Sequence, residues 1–180
     1  MHDGYLFTLG ICGSTAADHP ALFVLNTMLT ALPPVKRAAY LGPVVPLDQH
    51  GQLYDALIEP IVSDMRDAEL LLIVTPVSAA ALPARLAALL DHVVPLASDG
   101  MLRDKVAALV AITPDTAPAE MTALQRLQDF CVVARMQIAG QRYFTTSAVT
   151  QPPAVAVVMA LARQAYTAAR QRVPDALPQM

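Results

Sequence analysis

Two short runs of small and polar residues carry the chemistry this chain has to offer. The first is Gly13-Ser14-Thr15, which follows the apolar residues 6–12, and the second is Thr75-Pro76-Val77-Ser78, which follows the apolar residues 69–74. Each stands just ahead of a helical pattern. Hydroxyls and backbone N–H groups in such a place suit a phosphate, because a helix amino terminus presents unpaired donors and a partial positive charge. If the two apolar stretches are strands of one parallel sheet, both runs open onto the crevice at the strands' carboxyl ends, where a flavin or nucleotide is held.

Other side chains offer less. His2, His19, His50 and His92 show no metal-ligand spacing such as His-x-x-x-His, so no metal site is expected. Cys12 and Cys131 form no Cys-x-x-Cys pair, and each lies in an apolar pattern where a thiol packs as a small hydrophobe. No nucleophile with a partnering base stands out, and no catalytic residue is assigned.

The elements that must position the two loops follow from the apolar periodicity. Residues 5–12 read as a buried strand, and 20–32 as a helix with Pro20 in its first turn, where the missing N–H costs nothing. Residues 35–41 form a shorter, more polar strand suited to a sheet edge, and 42–51 a proline-bounded loop. Helical spacing returns over 54–66, with Pro60 predicting a kink or a late start. Residues 69–74 read as a strand whose Leu-Leu-Leu-Ile-Val run has no polar face and must be covered on both sides, as a central parallel strand is. A helix over 82–93, an apolar strand over 105–112, a helix over 118–134 with Arg126, Gln128 and Asp129 outward, a strand over 137–144 and a helix over 153–173 complete the chain. Leu124, Leu127, Phe130, Cys131, Val155, Val158, Met159 and Ala162 are read as core or subunit-interface faces. Five alternations of strand and helix make a three-layer α/β/α sandwich with right-handed crossovers.

Composition sets the limits. With 55% hydrophobic residues in 180, the chain can bury one sizeable core, and no linker divides it. A single domain with its core over about 4–173 and a short tail over 174–180 is expected. The formal charge of -3 and the scattered Lys and Arg give no basic stripe, so nucleic acid is not an expected partner. Apolar runs are broken by proline or charge before they could span a bilayer, and the amino terminus has no secretory pattern, so no membrane association and a cytoplasmic location are expected.

The order of these motifs resembles the flavodoxin-like NADPH-dependent FMN reductases over nearly the whole chain. The resemblance rests on Leu9-Gly10-Ile11-Cys12 into Gly13-Ser14, and on Asp67-Ala68-Glu69 running through the apolar stretch into Thr75-Pro76. It continues with Leu86 to Asp91 after that loop and Leu102-Arg103-Asp104-Lys105 before the fourth strand. It implies a five-stranded parallel sheet in the order 2-1-3-4-5. It also implies FMN as cofactor, NADPH or NADH as electron donor, a small-molecule electron acceptor, and a homodimer or tetramer. The implied cofactor residues are Gly13, Ser14, Thr15, Ala16 and His19 in the first loop, Thr75, Pro76, Val77, Ser78 and Ala79 in the second, and Thr113 and Asp115 in a third.

Several of those places differ from the family's habit. Where the family commonly has an arginine two positions after the loop serine and a serine three beyond it, this chain has Ala16 and His19. The second loop reads Val77-Ser78-Ala79-Ala80 without the usual aromatic, and the third reads Thr113-Pro114-Asp115-Thr116 without glycine. His19 reads either as a donor to a phosphate, which would favour its protonated form, or as an exposed loop residue. Two functions follow. One is an FMN-dependent NAD(P)H oxidoreductase that passes electrons to flavin, quinone or another small acceptor; the other is a flavodoxin-like interaction or regulatory module that has lost FMN.

Overall fold

The computed structural model describes residues 6–16, 18–33, 37–41, 55–78, 81–115 and 122–172. Expectations that fall on Ala79, Ala80, Thr116, the loop 42–51, residues 118–121 and the tail 174–180 lie outside the described residues. Strand and helix alternate as β1 (Thr8–Cys12), α1 (Pro20–Thr30), β2 (Arg37–Leu41), α2 (Asp55–Asp67), β3 (Leu70–Pro76), α3 (Ala84–Ser98), β4 (Val106–Thr113), α4 (Thr122–Val133), β5 (Gln137–Thr145) and α5 (Pro152–Arg170). The strands pair in parallel, in the spatial order β2-β1-β3-β4-β5.

Side-chain alternation along the strands divides the interior in two. Leu9, Ile11, Leu71, Ile73, Ala107, Leu109 and Ala111 pack with residues of α2, α3 and α4 on one face. Cys12, Leu70, Leu72, Val74, Val106, Ala108, Val110 and Ile112 pack with residues of α1 and α5 on the other. Double coverage is why Leu70 to Val74 and Val106 to Ile112 carry no polar side chain, and every one of these residues is buried. β5 has one neighbour, β4, and its residues are half-buried or exposed, so its polar content is tolerated at the edge.

The sequence of crossovers positions the site. The chain moves from β1 to β2 on one side and then crosses to β3 on the other, so β1 and β3 are neighbours whose following loops diverge. That reversal opens a crevice at the carboxyl edge. At the amino edge the elements are tied instead: Lys105 Nζ donates to the carbonyls of Arg66 and Ala68, both at 2.6 Å, at the end of α2. Burial lowers the Lys105 pKa, and Glu69 and Asp67 oppose that shift.

Four expectations change. The third helix extends beyond 93 to Ser98 and contains Pro95, because Pro95 faces solvent while Ala97 continues the buried stripe. The second helix accommodates Pro60 without a late start, beginning by Asp55, and Pro60 is exposed. Gln128 does not point outward: it is half-buried over β5 and donates to Gln141 Oε1 at 2.5 Å. Val155 and Met159 are half-buried, whereas Val158 and Ala162 are buried, because α5 covers the sheet with a narrower stripe. Cys12 and Cys131 are free thiols in the core, as expected of small hydrophobes.

Candidate functional site

The first loop leaves β1 under close constraint. Gly13 N–H donates to Val74 O at 2.8 Å, which holds the loop against the end of β3. A Cβ on Gly13 would overlap Thr75 Oγ1 and come within 3.0 Å of Thr75 Cβ and 3.2 Å of Leu86 Cδ2. Glycine is therefore required here by the approach of β3 and α3, and the first two loops meet at Gly13 and Thr75.

Beyond Gly13 the loop turns on itself. Ser14 is buried and its hydroxyl accepts from Ala16 N–H at 3.2 Å. His19 N–H donates to Ala16 O at 3.2 Å. Thr15, Ala16 and Asp18 are exposed.

His19 is the N-cap of α1. Its Nδ1 accepts from Ala21 N–H at 3.0 Å, so the imidazole is neutral with its proton on Nε2, and Pro20 follows at the first helical position. Burial lowers its pKa below the usual 6.5, with Asp18 pulling the other way. The exposed-loop expectation for His19 changes, because the residue is half-buried as the helix cap; with Nδ1 accepting, Nε2–H is the donor that the ring retains.

The sign of the pH dependence follows. A histidine whose folded pKa is depressed contributes stability that is complete above about 6.5, its unfolded value, and lost as pH falls through the folded pKa. The wild-type melting temperature is expected to fall between pH 7.5 and 5.5 by more than that of His19→Asn, which retains a capping oxygen that does not titrate. Equal slopes in a thermal melt at the two pH values would remove His19 from this role.

The second loop is anchored from both sides. Thr75 is fully buried and its hydroxyl donates to Pro76 O at 2.9 Å, while Val77 N–H donates to Ile112 O at 2.8 Å. Ser78 and Ala81 face each other across a short turn, Ala81 N–H to Ser78 O at 3.0 Å and Ser78 N–H to Ala81 O at 3.4 Å. Both are exposed, so the mouth beside β3 is lined by small residues.

Sequence reasoning missed the neighbours of the third loop. Thr113 is buried; its hydroxyl accepts from Tyr143 OH at 2.7 Å and its carbonyl from Thr146 N–H at 2.8 Å and Thr146 Oγ1 at 2.9 Å. Asp115 accepts from Ser147 Oγ at 2.6 Å and from Ser147 N–H at 3.1 Å. These bonds hold its carboxyl below the usual carboxylate range, with Thr145 adding to them. The small-polar run Thr145-Thr146-Ser147 at the end of β5 was the available signal, since it repeats the pattern that marked the first two loops. Gly13, Ser14, Thr15, Ala16, His19, Thr75, Pro76, Val77, Ser78, Thr113 and Asp115 all lie at the carboxyl edge of the sheet.

Other chemistries find little support at this edge. Burial raises both thiol pKa values, that of Cys131 to about 12, which keeps them protonated and inert. Among the described residues no group of three His, Cys, Asp or Glu could hold a metal ion, and no helix is long and apolar enough to cross a membrane. A cavity of about 180 Å³ lies at the opposite, amino edge, lined by Glu69, Arg103, Asp104, Lys105, Ala169 and Arg172. Two of its three cations are engaged within the protein: Lys105 as above, and Arg172 with Gln137 Oε1 at 2.7 Å and Asp104 O at 3.2 Å.

Known proteins share this arrangement. The apo form of an NADH:FMN oxidoreductase (EMOB) superposes with a TM-score of 0.70 at 19% identity, over 95% of this chain and 92% of that one. A flavodoxin, WrbA-like protein from Agrobacterium tumefaciens gives 0.69 at 10% identity, over 93% and 99%. An azoreductase from Bacillus anthracis gives 0.60 at 13% identity, over 92% and 99%. At these identities the likeness is one of fold, an α/β flavodoxin-like fold with a parallel sheet. No curated protein matches the chain by sequence. The family description that does match, NADPH-dependent FMN reductase, spans residues 8–151, from the first residue of β1 past the end of β5 and so across all three loops. This chain therefore belongs to the NADPH-dependent FMN reductase family.

Proposed function

We propose that the protein is a flavin reductase that takes hydride from NADPH or NADH and delivers the electrons to a second flavin, a quinone or another small acceptor. The observation that carries this reading is the family match across all three carboxyl-edge loops, two of which meet at the reversal of strand order. When bound there, FMN supplies hydride-accepting chemistry, so the protein needs no nucleophile or metal and contributes placement and electrostatics.

The residues fit one end of that cofactor better than the other. The carbonyls of Pro76 and Val77 and the Ser78 hydroxyl would read the polar edge of the isoalloxazine ring, since the Val77 and Ser78 N–H groups are bonded to Ile112 O and Ala81 O, and exposed Ser78 and Ala81 leave room beside it. Gly13 keeps the β1 and β3 ends close enough for one ligand to touch both loops. Thr15, Ala16 and His19 lie where the ribityl phosphate would be, with Thr113 and Asp115 bordering the same edge. Ala79 belongs to this proposed set by sequence alone.

A homodimer or tetramer and a cytoplasmic location are part of the same proposal. Val132 and Val133, 71% and 47% exposed, support association. Val133 also lines a groove between α3 and α4 with Leu90, Val94 and Phe130, bordered by Asp91, Arg126 and Asp129.

The test is a titration of the purified protein with FMN, followed by NADH and NADPH oxidation with and without added flavin. Micromolar binding and flavin-stimulated oxidation are expected. A protein that binds no FMN at about 100 micromolar, an affinity weaker than roughly 5.5 kcal/mol, would instead be the cofactor-free module. The observation favouring that second reading is that several N–H groups of the first loop and the start of α1 already have partners within the protein.

A further inference from the structure

We infer that this protein recognises flavin by its ring and is indifferent to the 5′-phosphate, so that unphosphorylated flavin is accepted as readily as FMN. The inference rests on the flavin-reductase reading above and concerns the substrate class of that same crevice.

A phosphate dianion at the amino end of α1 needs donors that are free and charge that is positive. Several of the backbone donors are committed. Gly13 N–H is bonded to Val74 O, Ala16 N–H to Ser14 Oγ and His19 N–H to Ala16 O. Ala21 N–H is bonded to His19 Nδ1 and Leu22 N–H to His19 O, and Pro20 has no N–H to offer. Ser14 Oγ and His19 Nδ1 thus already accept from two N–H groups of the first loop and helix start. A phosphate would have to displace side-chain partners already in place, so its own hydrogen bonds bring little net gain.

The charge has the wrong sign as well. No Lys or Arg occurs before Lys36, none between Arg66 and Arg85, and none between Lys105 and Arg126, so all three loops lack a cation in the sequence itself. Asp18 is exposed beside the α1 cap, and Asp115 is held ionised by Ser147 at the same edge. His19, the one group that protonation could make positive, is neutral because its Nδ1 accepts a hydrogen bond. Lys105 and Arg172 are bonded at the amino edge, Arg126 pairs with Asp91 between α3 and α4, and Arg142 donates to Gln141 O on β5.

The isoalloxazine ring requires neither feature. It is uncharged when oxidised, and backbone groups with small neighbours are sufficient to hold it. Loss of the phosphate from the ligand should therefore change affinity by less than the tenfold or more that even one charge-assisted contact normally provides.

The experiment is a pair of equilibrium titrations of the full-length protein, with FMN and with riboflavin, followed by quenching of flavin fluorescence under identical buffer conditions. Dissociation constants within threefold of each other, or riboflavin the tighter ligand, are expected. FMN binding more than threefold tighter than riboflavin would overturn the inference while leaving the flavin-reductase reading intact. Binding of neither ligand would overturn the flavin-reductase reading and this inference with it.

Discussion

Ala16→Arg is expected to tighten FMN binding by about ten- to a hundredfold and to leave riboflavin binding where it was. Position 16 is exposed in the first loop, so a long side chain meets no packing obstacle there. The loop is without a cation, and its one formal charge is the carboxylate of Asp18. A guanidinium would reverse that balance and give the phosphate a bidentate, charge-assisted partner. Hydrogen bonds to charged groups contribute about 1.5–3 kcal/mol, and about 1.4 kcal/mol is a factor of ten. The comparison with riboflavin is essential, because a general stabilisation of the loop would tighten both ligands alike. Equal tightening, or none for FMN, would show that the phosphate does not reach position 16.

Gly13→Ala should destabilise the fold and weaken flavin binding together. The added methyl would be driven into Thr75 Oγ1 and would press on Thr75 Cβ and Leu86 Cδ2. Thr75 is fully buried on a central strand and Leu86 is buried on α3, so neither has open space to move into. Overpacking of this kind costs about 1–3 kcal/mol, and in a chain of this size each kcal/mol lowers the melting temperature by about 2–4 °C. Thr75→Ala removes the atom that the new methyl would strike. The double variant should therefore lose less than the sum of the two single variants, since residues in direct contact are not additive. Additive losses in thermal melts, or a Gly13→Ala protein as stable as wild type, would refute the crowding at this junction.

Much of this architecture was legible before any coordinates. Leu70 to Val74 and Val106 to Ile112 have no polar face, and only a strand covered by helices on both sides satisfies that pattern. Pro20 marked the start of α1 because a proline is favoured where no N–H is required, and α1 begins there. Ends of elements were less legible. Pro95 lies within α3 because its exposed position makes the lost hydrogen bond tolerable, a fact of surroundings that residue identity does not carry.

The site divides along the same line. Local chain order determined that Gly13-Ser14, Thr75-Pro76 and Thr113 stand at the carboxyl ends of strands, because strand and helix alternate and parallel crossovers return every strand in one direction. It also determined that those loops contain no lysine or arginine. Tertiary structure alone decided what the polar groups there are bonded to. Asp115 meets Ser147, Thr113 meets Tyr143, and Gly13 meets Thr75 only because distant segments converge at the sheet edge. His19 is near in sequence to its partner Ala21, yet whether its ring nitrogen accepts or donates depends on the turn that aims it. Hydrogen bonds and steric contacts act over a few ångströms in space, and their partners are set by folding, whereas strand and helix patterns are set by neighbours along the chain.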